Sequence, residues 1–239
     1  MAGRNPLTFG FFLFSLWSLL CQAVDLYRAD SRTPAQIQAA QGFLPRGQST
    51  FGVAAPDTSL WNHVEGDAQG FSRMDDGYVS TTSDRNLAVN WIRDMLGGNG
   101  YVYRIHSAPN MIDCKATLDK YYRFEHEKEF AALGGIKDNQ IIGWTRFTNN
   151  RAGSEERNPF YQANIYGNMG TGGSQPSLAA FPPGHPAWRE SPWNQFSTCR
   201  NNPRGISFDK RQSCSPAKSN QAYAADHLEY VEAVCPRCQ

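Results

Sequence analysis

The sequence predicts an α+β fold in which strands outnumber helices. Residues 101–106 and 140–148 alternate or run apolar in the manner of strands. Residues 86–96 repeat apolar side chains every four positions, which is typical of an amphipathic helix. Because the predicted strands and helices do not alternate regularly along the chain, a doubly wound parallel sheet fits less well.

The remaining elements follow in chain order. Residues 26–30 predict a short strand. Thr33 as cap, Pro34 at the first helical position and Gln36 three residues after the cap predict a short helix. Residues 45–56 are rich in Gly, Pro, Ser and Thr, and they predict a long surface loop.

The segments around the main helix are also defined by local signals. Residues 70–82 predict two extended pieces joined by a turn at an Asp-Gly pair. Ser83 is the predicted cap of the helix at 86–96. The signals then weaken, until the spacing of apolar residues at 222–234 predicts a helical tail.

Residues 1–23 are a predicted secretory signal. One positive charge at Arg4 precedes an apolar run over residues 7–20, and the segment ends in the small residue Ala23. A membrane anchor would need about 20 apolar residues, so we predict cleavage after Ala23 and a secreted protein without stable membrane insertion.

Removing this segment removes one of the 23 basic residues, and the 22 acidic residues then balance the rest. A neutral chain gives no support for binding nucleic acid through bulk charge.

Five cysteines remain once the signal is removed. In a secreted chain they are expected to form disulfides rather than to bind metal. Cys235 and Cys238 have the spacing of half a zinc ribbon, but no second such pair follows, so no metal is expected. The odd number leaves one thiol free or paired between chains. The pairing of Cys114, Cys235 and Cys238 stays open.

Glu127 and Glu129 are the candidate catalytic pair. In an extended segment, side chains two residues apart point to the same face, so both carboxylates would enter one cleft. On a helix the two side chains would point about 200° apart. Two acids on one face can divide labour, since one stabilises positive charge while the other positions a nucleophile. Most such pairs are nevertheless surface charge, so the interpretation depends on the rest of the sequence.

Several motifs in a fixed order give the pair its context. They are Tyr-Arg-Ala-Asp-Ser-Arg at 27–32, His63, Asp-Asp-Gly-Tyr-Val-Ser-Thr at 75–81, Ala-Pro-Asn-Met at 108–111, the Glu127/Glu129 segment, Gly-Trp at 143–144, Phe-Pro-Pro-Gly-His at 181–185 and Ala-Trp-Arg-Glu at 187–190. Between Tyr27 and Cys214, the chain resembles the mono-ADP-ribosyltransferase toxin family that includes the catalytic A chains of cholera toxin and the heat-labile enterotoxins. This resemblance implies an ADP-ribosyltransferase-type fold, with mixed or antiparallel sheets around an NAD cleft and few helices.

The resemblance also implies a role for each site residue. Glu129 would grip the ribose 2′-OH of NAD and face the cation-like sugar, while Glu127 would orient the acceptor arginine. Ser80 would hold the catalytic glutamate through its hydroxyl. Arg28 would bridge the nucleotide and the backbone of the site.

His63 and Thr81, together with Ser80, would lie beside bound NAD by the same resemblance. The triplet at 80–82 is Ser-Thr-Thr where the family has Ser-Thr-Ser, and the last position keeps its hydroxyl.

The resemblance also divides the chain. It implies a catalytic domain at 24–198, a nick loop at 199–214 closed by a Cys199–Cys214 disulfide and cut after Arg204, and a short tail at 215–239. In cholera toxin a long linker threads a pentamer of B subunits and ends in a retrieval signal. The tail here ends in Cys-Pro-Arg-Cys-Gln, so a pentameric carrier is not carried over.

The expected function is that of a secreted, toxin-like enzyme that moves ADP-ribose from NAD to an arginine of a host protein. By the resemblance, the first target to test is a G-protein α subunit. Two alternatives stay open, namely a secreted NAD glycohydrolase that uses water as the nucleophile and an inactive binding module with the same fold.

Overall fold

A computed structural model describes residues 23–49, 55–199 and 213–238. The strands are β1 (Asp25–Asp30), β2 (Gly42–Phe43), β3 (Tyr78–Thr82), β4 (Gly100–His106), β5 (Met111–Asp113), β6 (Glu129–Leu133), β7 (Ile136–Lys137), β8 (Ile141–Thr148) and β9 (Arg151–Arg157). The α-helices are α1 (Pro34–Ala39), α2 (Arg46–Ser49), α3 (Leu60–Glu65), α4 (Arg85–Met95), α5 (Cys114–Leu118), α6 (Ala163–Tyr166) and α7 (Asn220–Val234). Short 3-10 helices lie at Asp119–Tyr121, Glu125–Glu127, Asp138–Gln140, Pro176–Leu178, Pro186–Arg189 and Trp193–Phe196.

Seven of the strands form one antiparallel sheet in the order β5-β6-β3-β1-β4-β8-β9. Strands β2 and β7 form a separate antiparallel pair. Most of the helices are short, so the predicted α+β class with few helices is confirmed.

The register of the neighbouring strands β1, β3 and β6 aligns side chains in a row. Tyr27 of β1 is paired with Thr82 of β3, and Thr82 is paired with Glu129 of β6. Directly paired residues in an antiparallel sheet point to the same face. Helix α4 packs over this face, since its buried Ala88 and Ile92 share a cluster with Tyr27. The candidate functional residues therefore lie beside this row of side chains.

Two helix caps illustrate what local sequence decides. Thr33 and Gln36 form the predicted capping box of α1. The cap of α4 is Asp84, whose carboxylate accepts a hydrogen bond from the backbone N–H of Asn86, and not the predicted Ser83. The backbone N–H of Ser83 instead donates to the carbonyl of Lys128, which ties this point of the chain to the segment before β6.

Other elements differ from the predictions. The predicted hairpin at 70–82 is wrong, because only Tyr78–Thr82 forms a strand, and Asp76 makes an isolated bridge to Asp57 instead. Strand β9 was not predicted, because all of its residues are exposed and it therefore lacks apolar alternation. Within the predicted 45–56 loop, α2 forms a short helix, and residues 50–54 lie outside the described residues.

The cysteines and the tail complete the fold. Cys199 and Cys214 are bonded, as the resemblance implied, and Cys235 is bonded to Cys238. Cys114 is a buried free thiol. The predicted tail helix is present as α7. The predicted cleavage after Ala23 stays a prediction, because residues 1–22 lie outside the described residues. The predicted nick site at Arg204 lies outside them as well.

Helix α7 packs onto the body of the protein. Tyr223 and Ala224 belong to the same core cluster as the buried Trp188 and Trp193. Within the described ranges, no helix is both long and apolar enough to span a bilayer.

Candidate active site

A cleft of about 520 Å³ lies over the row of Tyr27, Thr82 and Glu129. It is bounded by residues of β1 and β3, by α3 and α4, and by the turn at Glu125–Glu127. All six predicted catalytic and NAD-binding residues line it, namely Arg28, His63, Ser80, Thr81, Glu127 and Glu129. A larger depression of about 740 Å³ beside the β8–β9 turn contains none of them, so the smaller cleft is the candidate site.

Glu129 is the buried carboxylate of the cleft and begins strand β6. Its Oε1 lies 3.1 Å from Nε2 of His63, and its Oε2 accepts a hydrogen bond of 3.3 Å from the hydroxyl of Tyr122. Burial by itself raises the pKa of Glu129, but the bonds from His63, Ser80 and Tyr122 outweigh it and lower the pKa below its ordinary value. Glu129 is therefore ionised at neutral pH.

His63 connects Glu129 to a second carboxylate. Its Nδ1 lies 2.7 Å from Oδ2 of Asp76, and only 4% of its side chain is exposed. Burial lowers the pKa of His63, but the hydrogen bonds and charges of Asp76 and Glu129 outweigh it and raise the pKa to about 10. At neutral pH the ring is thus an imidazolium that donates to a carboxylate on each side.

Asp76 was missed as a site residue by the sequence reasoning. It is buried, and its second oxygen accepts a hydrogen bond of 2.9 Å from the backbone N–H of Tyr78 at the start of β3. It belongs to the 75–81 motif of the family resemblance, in which only Ser80 and Thr81 were assigned a role in the site. Tyr122 was missed as well, because no recognised motif contains it.

Arg28 and Ser80 meet across β1 and β3. Nη1 of Arg28 donates a 2.7 Å hydrogen bond to the carbonyl of Ser80, and its Nε lies 3.5 Å from Asp30. The hydroxyl of Ser80 is exposed in the cleft and lies 3.3 Å from Nε2 of His63. These contacts bring together the arginine, the serine, the histidine and the glutamate that the resemblance grouped.

The two threonines after Ser80 use their hydroxyls within the protein. Thr81 donates a 2.6 Å bond to the carbonyl of Phe130, and Thr82 donates a 2.7 Å bond to the carbonyl of Glu127. Thr81 lines the cleft, but its hydroxyl is already bonded to the backbone of β6. Its role towards NAD stays a prediction.

Glu127 reaches the cleft by a route different from the predicted one. It ends the 3-10 turn Glu125–Glu127, and Lys128 has a left-handed φ of 46°, so the two glutamates do not lie on one extended strand. The prediction that an extended segment places both side chains on one face is therefore wrong. Glu127 and Glu129 nevertheless line the same cleft. Burial, and then the charge of Glu129, raise the pKa of Glu127 above its ordinary value.

Comparison with known proteins places this sheet and cleft in the class of toxin-type ADP-ribosyltransferases. The chain belongs to the heat-labile enterotoxin alpha chain family, whose model matches residues 7–235. Heat-labile enterotoxin IIB, A chain, from Escherichia coli is 36% identical over 219 residues, which cover 88% of this chain and 83% of that protein.

Two further relatives connect the family to an activity and to a solved structure. A Vibrio cholerae protein named NAD(+)--arginine ADP-ribosyltransferase Chelt is 36% identical over 208 residues, which are 83% of this chain but 35% of that longer protein. The solved structure of a heat-labile enterotoxin double mutant has a TM-score of 0.70 and 32% identity, and covers 89% of this chain and 92% of that one. The predicted resemblance and fold type are confirmed.

Proposed function

We propose that this ADP-ribosyltransferase moves ADP-ribose from NAD to an arginine side chain of a host protein. The observation that carries the proposal is the ionised, buried Glu129, held by His63 within one cleft that also contains Ser80, Arg28 and Glu127. The family includes a protein named for arginine ADP-ribosylation, which supports the choice of acceptor.

Glu129 has the properties needed to break the bond between nicotinamide and ribose. As this bond breaks, positive charge develops on the sugar, and a carboxylate together with a hydrogen bond to the 2-OH stabilises such a transition state. A buried anion does this better than a solvated one, because the surrounding dielectric is lower. The cationic His63 offsets the cost of keeping Glu129 ionised there and holds it in one position.

Arg28 fits the part of the substrate that carries negative charge. Its planar guanidinium can bind phosphate oxygens in a forked geometry. One nitrogen already holds the carbonyl of Ser80, and its Nε lies 3.5 Å from the carboxylate of Asp30 in an ion pair. The side chain is thereby fixed at the centre of the sheet, where it would orient the pyrophosphate of NAD.

Glu127 fits the acceptor. Within the described residues its carboxylate makes no ion pair or side-chain hydrogen bond. A guanidinium has a pKa above 12 and is a poor nucleophile, so it needs a nearby carboxylate that positions it and takes a proton. The raised pKa of Glu127 makes it a better proton acceptor than an ordinary surface glutamate.

The direct test uses labelled NAD with agmatine, a small guanidine, and with protein from cell extract. We expect labelled agmatine and labelled protein from the wild-type enzyme, and neither from Glu129→Gln. Release of nicotinamide without any labelling would identify an NAD glycohydrolase instead. If NAD is not consumed at all, the cleft belongs to an inactive binding module.

The domain boundaries and the route of the protein are part of the same proposal. We infer a signal at 1–23, a catalytic domain at 24–198, a nick loop at 199–214 and a tail at 215–239, in a protein that is secreted like an enterotoxin. Because α7 packs into the core through Tyr223 and Ala224, cleavage after Arg204 and reduction of Cys199–Cys214 would leave the tail held by non-covalent contacts. Size-exclusion chromatography after trypsin and reductant tests this, and loss of the tail from the main peak would contradict it.

A G-protein α subunit is the first acceptor to test.

A further inference from the structure

Helix α4 presents an apolar stripe to solvent. Leu87, Trp91 and Met95 recur every fourth residue, so they share one face of the helix. Trp91 is 48% exposed and Met95 is 62% exposed. The buried residues of the helix, Ala88 and Ile92, lie on the adjacent face, about 100° around the helix axis, and Leu87 at the boundary is half-buried. Core packing therefore does not account for the stripe.

The stripe is continuous with the catalytic cleft. Leu87 and Trp91 both line the cleft that contains Glu127 and Glu129. Met95 extends the same face one turn further along the helix. An exposed tryptophan and an exposed methionine thus lie on one face beside the cleft, and both residue types are enriched at protein interfaces.

The start of α4 is fastened to the turn that carries Glu127. Asp84, the cap of α4, accepts a 2.9 Å hydrogen bond from Nζ of Lys128. The backbone N–H of Ser83 donates to the carbonyl of Lys128, and the hydroxyl of Thr82 donates to the carbonyl of Glu127. The stripe thus begins beside Glu127, whose carboxylate is complementary to an incoming guanidinium. From there it extends along α4, away from that carboxylate.

We propose that Leu87, Trp91 and Met95 form the docking surface for the acceptor protein, and that they bind apolar residues flanking the target arginine. The proposal rests on the arginine acceptor proposed above and adds a substrate class, namely arginines within apolar rather than purely polar segments. Charge complementarity at Glu127 selects the guanidinium, and the adjacent stripe selects its surroundings. Burying the indole of Trp91 supplies the affinity, as buried aromatic anchors do at other interfaces.

The test compares three substrates on the mature full-length chain. They are NAD alone (hydrolysis), NAD with agmatine, and NAD with a pair of synthetic peptides that contain one arginine flanked either by leucines or by serines. The variant is Met95→Ala, which removes the stripe residue that lies outside the cleft lining. The matched control is Tyr230→Ala, which removes a 54% exposed aromatic side chain from α7, away from the cleft lining. Thermal unfolding of both variants shows that they are folded.

We expect the wild type and Tyr230→Ala to prefer the leucine peptide about tenfold in kcat/KM, and Met95→Ala to lose that preference. Hydrolysis of NAD and transfer to agmatine should stay within about twofold in all three proteins, since Met95 lies outside the cleft lining. Normal agmatine transfer with no preference between the peptides in the wild type overturns the docking surface alone. A raised KM for NAD in Met95→Ala overturns it too, because Met95 would then belong to the NAD site. Failure of the wild type to modify agmatine overturns the arginine acceptor and the docking surface together.

Discussion

The two sides of the cleft are built in opposite ways. On the β6 side, Glu129 is buried and bonded to His63 and Tyr122, and His63 is in turn bonded to Asp76. On the other side, Glu127 ends a single 3-10 turn, is half-buried and has a carboxylate without a side-chain partner in the described part of the chain.

This difference corresponds to two chemical tasks. Stabilising charge on a bound sugar requires a group that is already ionised and does not reorganise, and such preorganised groups are often the largest contribution to catalysis. Receiving an acceptor that arrives from solution requires an accessible group whose pKa lies closer to neutral. The pKa values move accordingly, downward for Glu129 and upward for Glu127.

The largest expected effect is that of Glu129→Gln. The substitution keeps the shape of the side chain but removes the charge that faces the developing cation. We expect kcat to fall about 10²–10³-fold for both NAD hydrolysis and transfer to agmatine. Initial-rate measurement of nicotinamide release checks this, with the melting temperature as control for folding. Near-normal rates would show that the buried side of the cleft is not the reactive one.

Glu127→Gln should separate the two reactions. We expect transfer to agmatine to fall about 10²-fold, because the guanidinium loses its positioning carboxylate, while hydrolysis changes by less than about threefold. Parallel assays with and without agmatine measure the ratio. An equal loss in both reactions would remove the distinction drawn between the two glutamates.

Asp76→Asn should weaken the buried side without removing its reactive group. The neutral amide no longer supports the imidazolium, so the pKa of His63 should fall, and we expect kcat to fall about tenfold. NMR titration of the His63 ring together with steady-state rates checks both parts. A lower rate with an unchanged titration would contradict the role assigned to Asp76.

Because the pKa of His63 is raised in the folded protein, the free energy of unfolding should fall as the pH becomes alkaline. The folded protein holds this proton up to about pH 10, whereas the unfolded chain releases it near 6.5. The stabilisation is therefore complete below about pH 6.5 and is lost as pH rises towards 10, by at most about 1.4 kcal/mol per pH unit. Denaturant titrations from pH 6 to 10 should show this decline in the wild type and a flatter profile in His63→Gln. Parallel profiles would exclude His63 as the source.

Tyr122→Phe should have the smallest effect. It removes one hydrogen bond to Oε2 of Glu129 and keeps the ring. Because that bond helps to lower the pKa of Glu129, its loss should move the acidic limb of the activity profile to higher pH and reduce kcat about threefold. The pH dependence of kcat for hydrolysis checks this, with Tyr121→Phe at the neighbouring position as control. An unshifted limb would mean that Tyr122 does not help to set the charge of Glu129.

Local sequence was a good guide where a residue's own neighbours decide its structure. The capping box of α1 and the apolar spacing of α7 were predicted, because both depend on interactions within a few residues. Strand β9 has no such signal, since it lies at the edge of the sheet with every residue exposed. The motifs around Arg28, Ser80 and Glu129 predicted the candidate site, but the contact of Asp76 with His63 depends on the fold, and Tyr122 lies in no motif.

The sequence by itself determined the class of the protein and, through its resemblance to the family, the Cys199–Cys214 bridge and the candidate acidic pair. Only the tertiary structure decided how the pair works. The left-handed turn at Lys128 sets Glu127 apart from β6, and the contact with His63, 66 positions away in the chain, keeps Glu129 charged. Charge state and access depend on burial and on distant partners, which no stretch of neighbouring residues specifies.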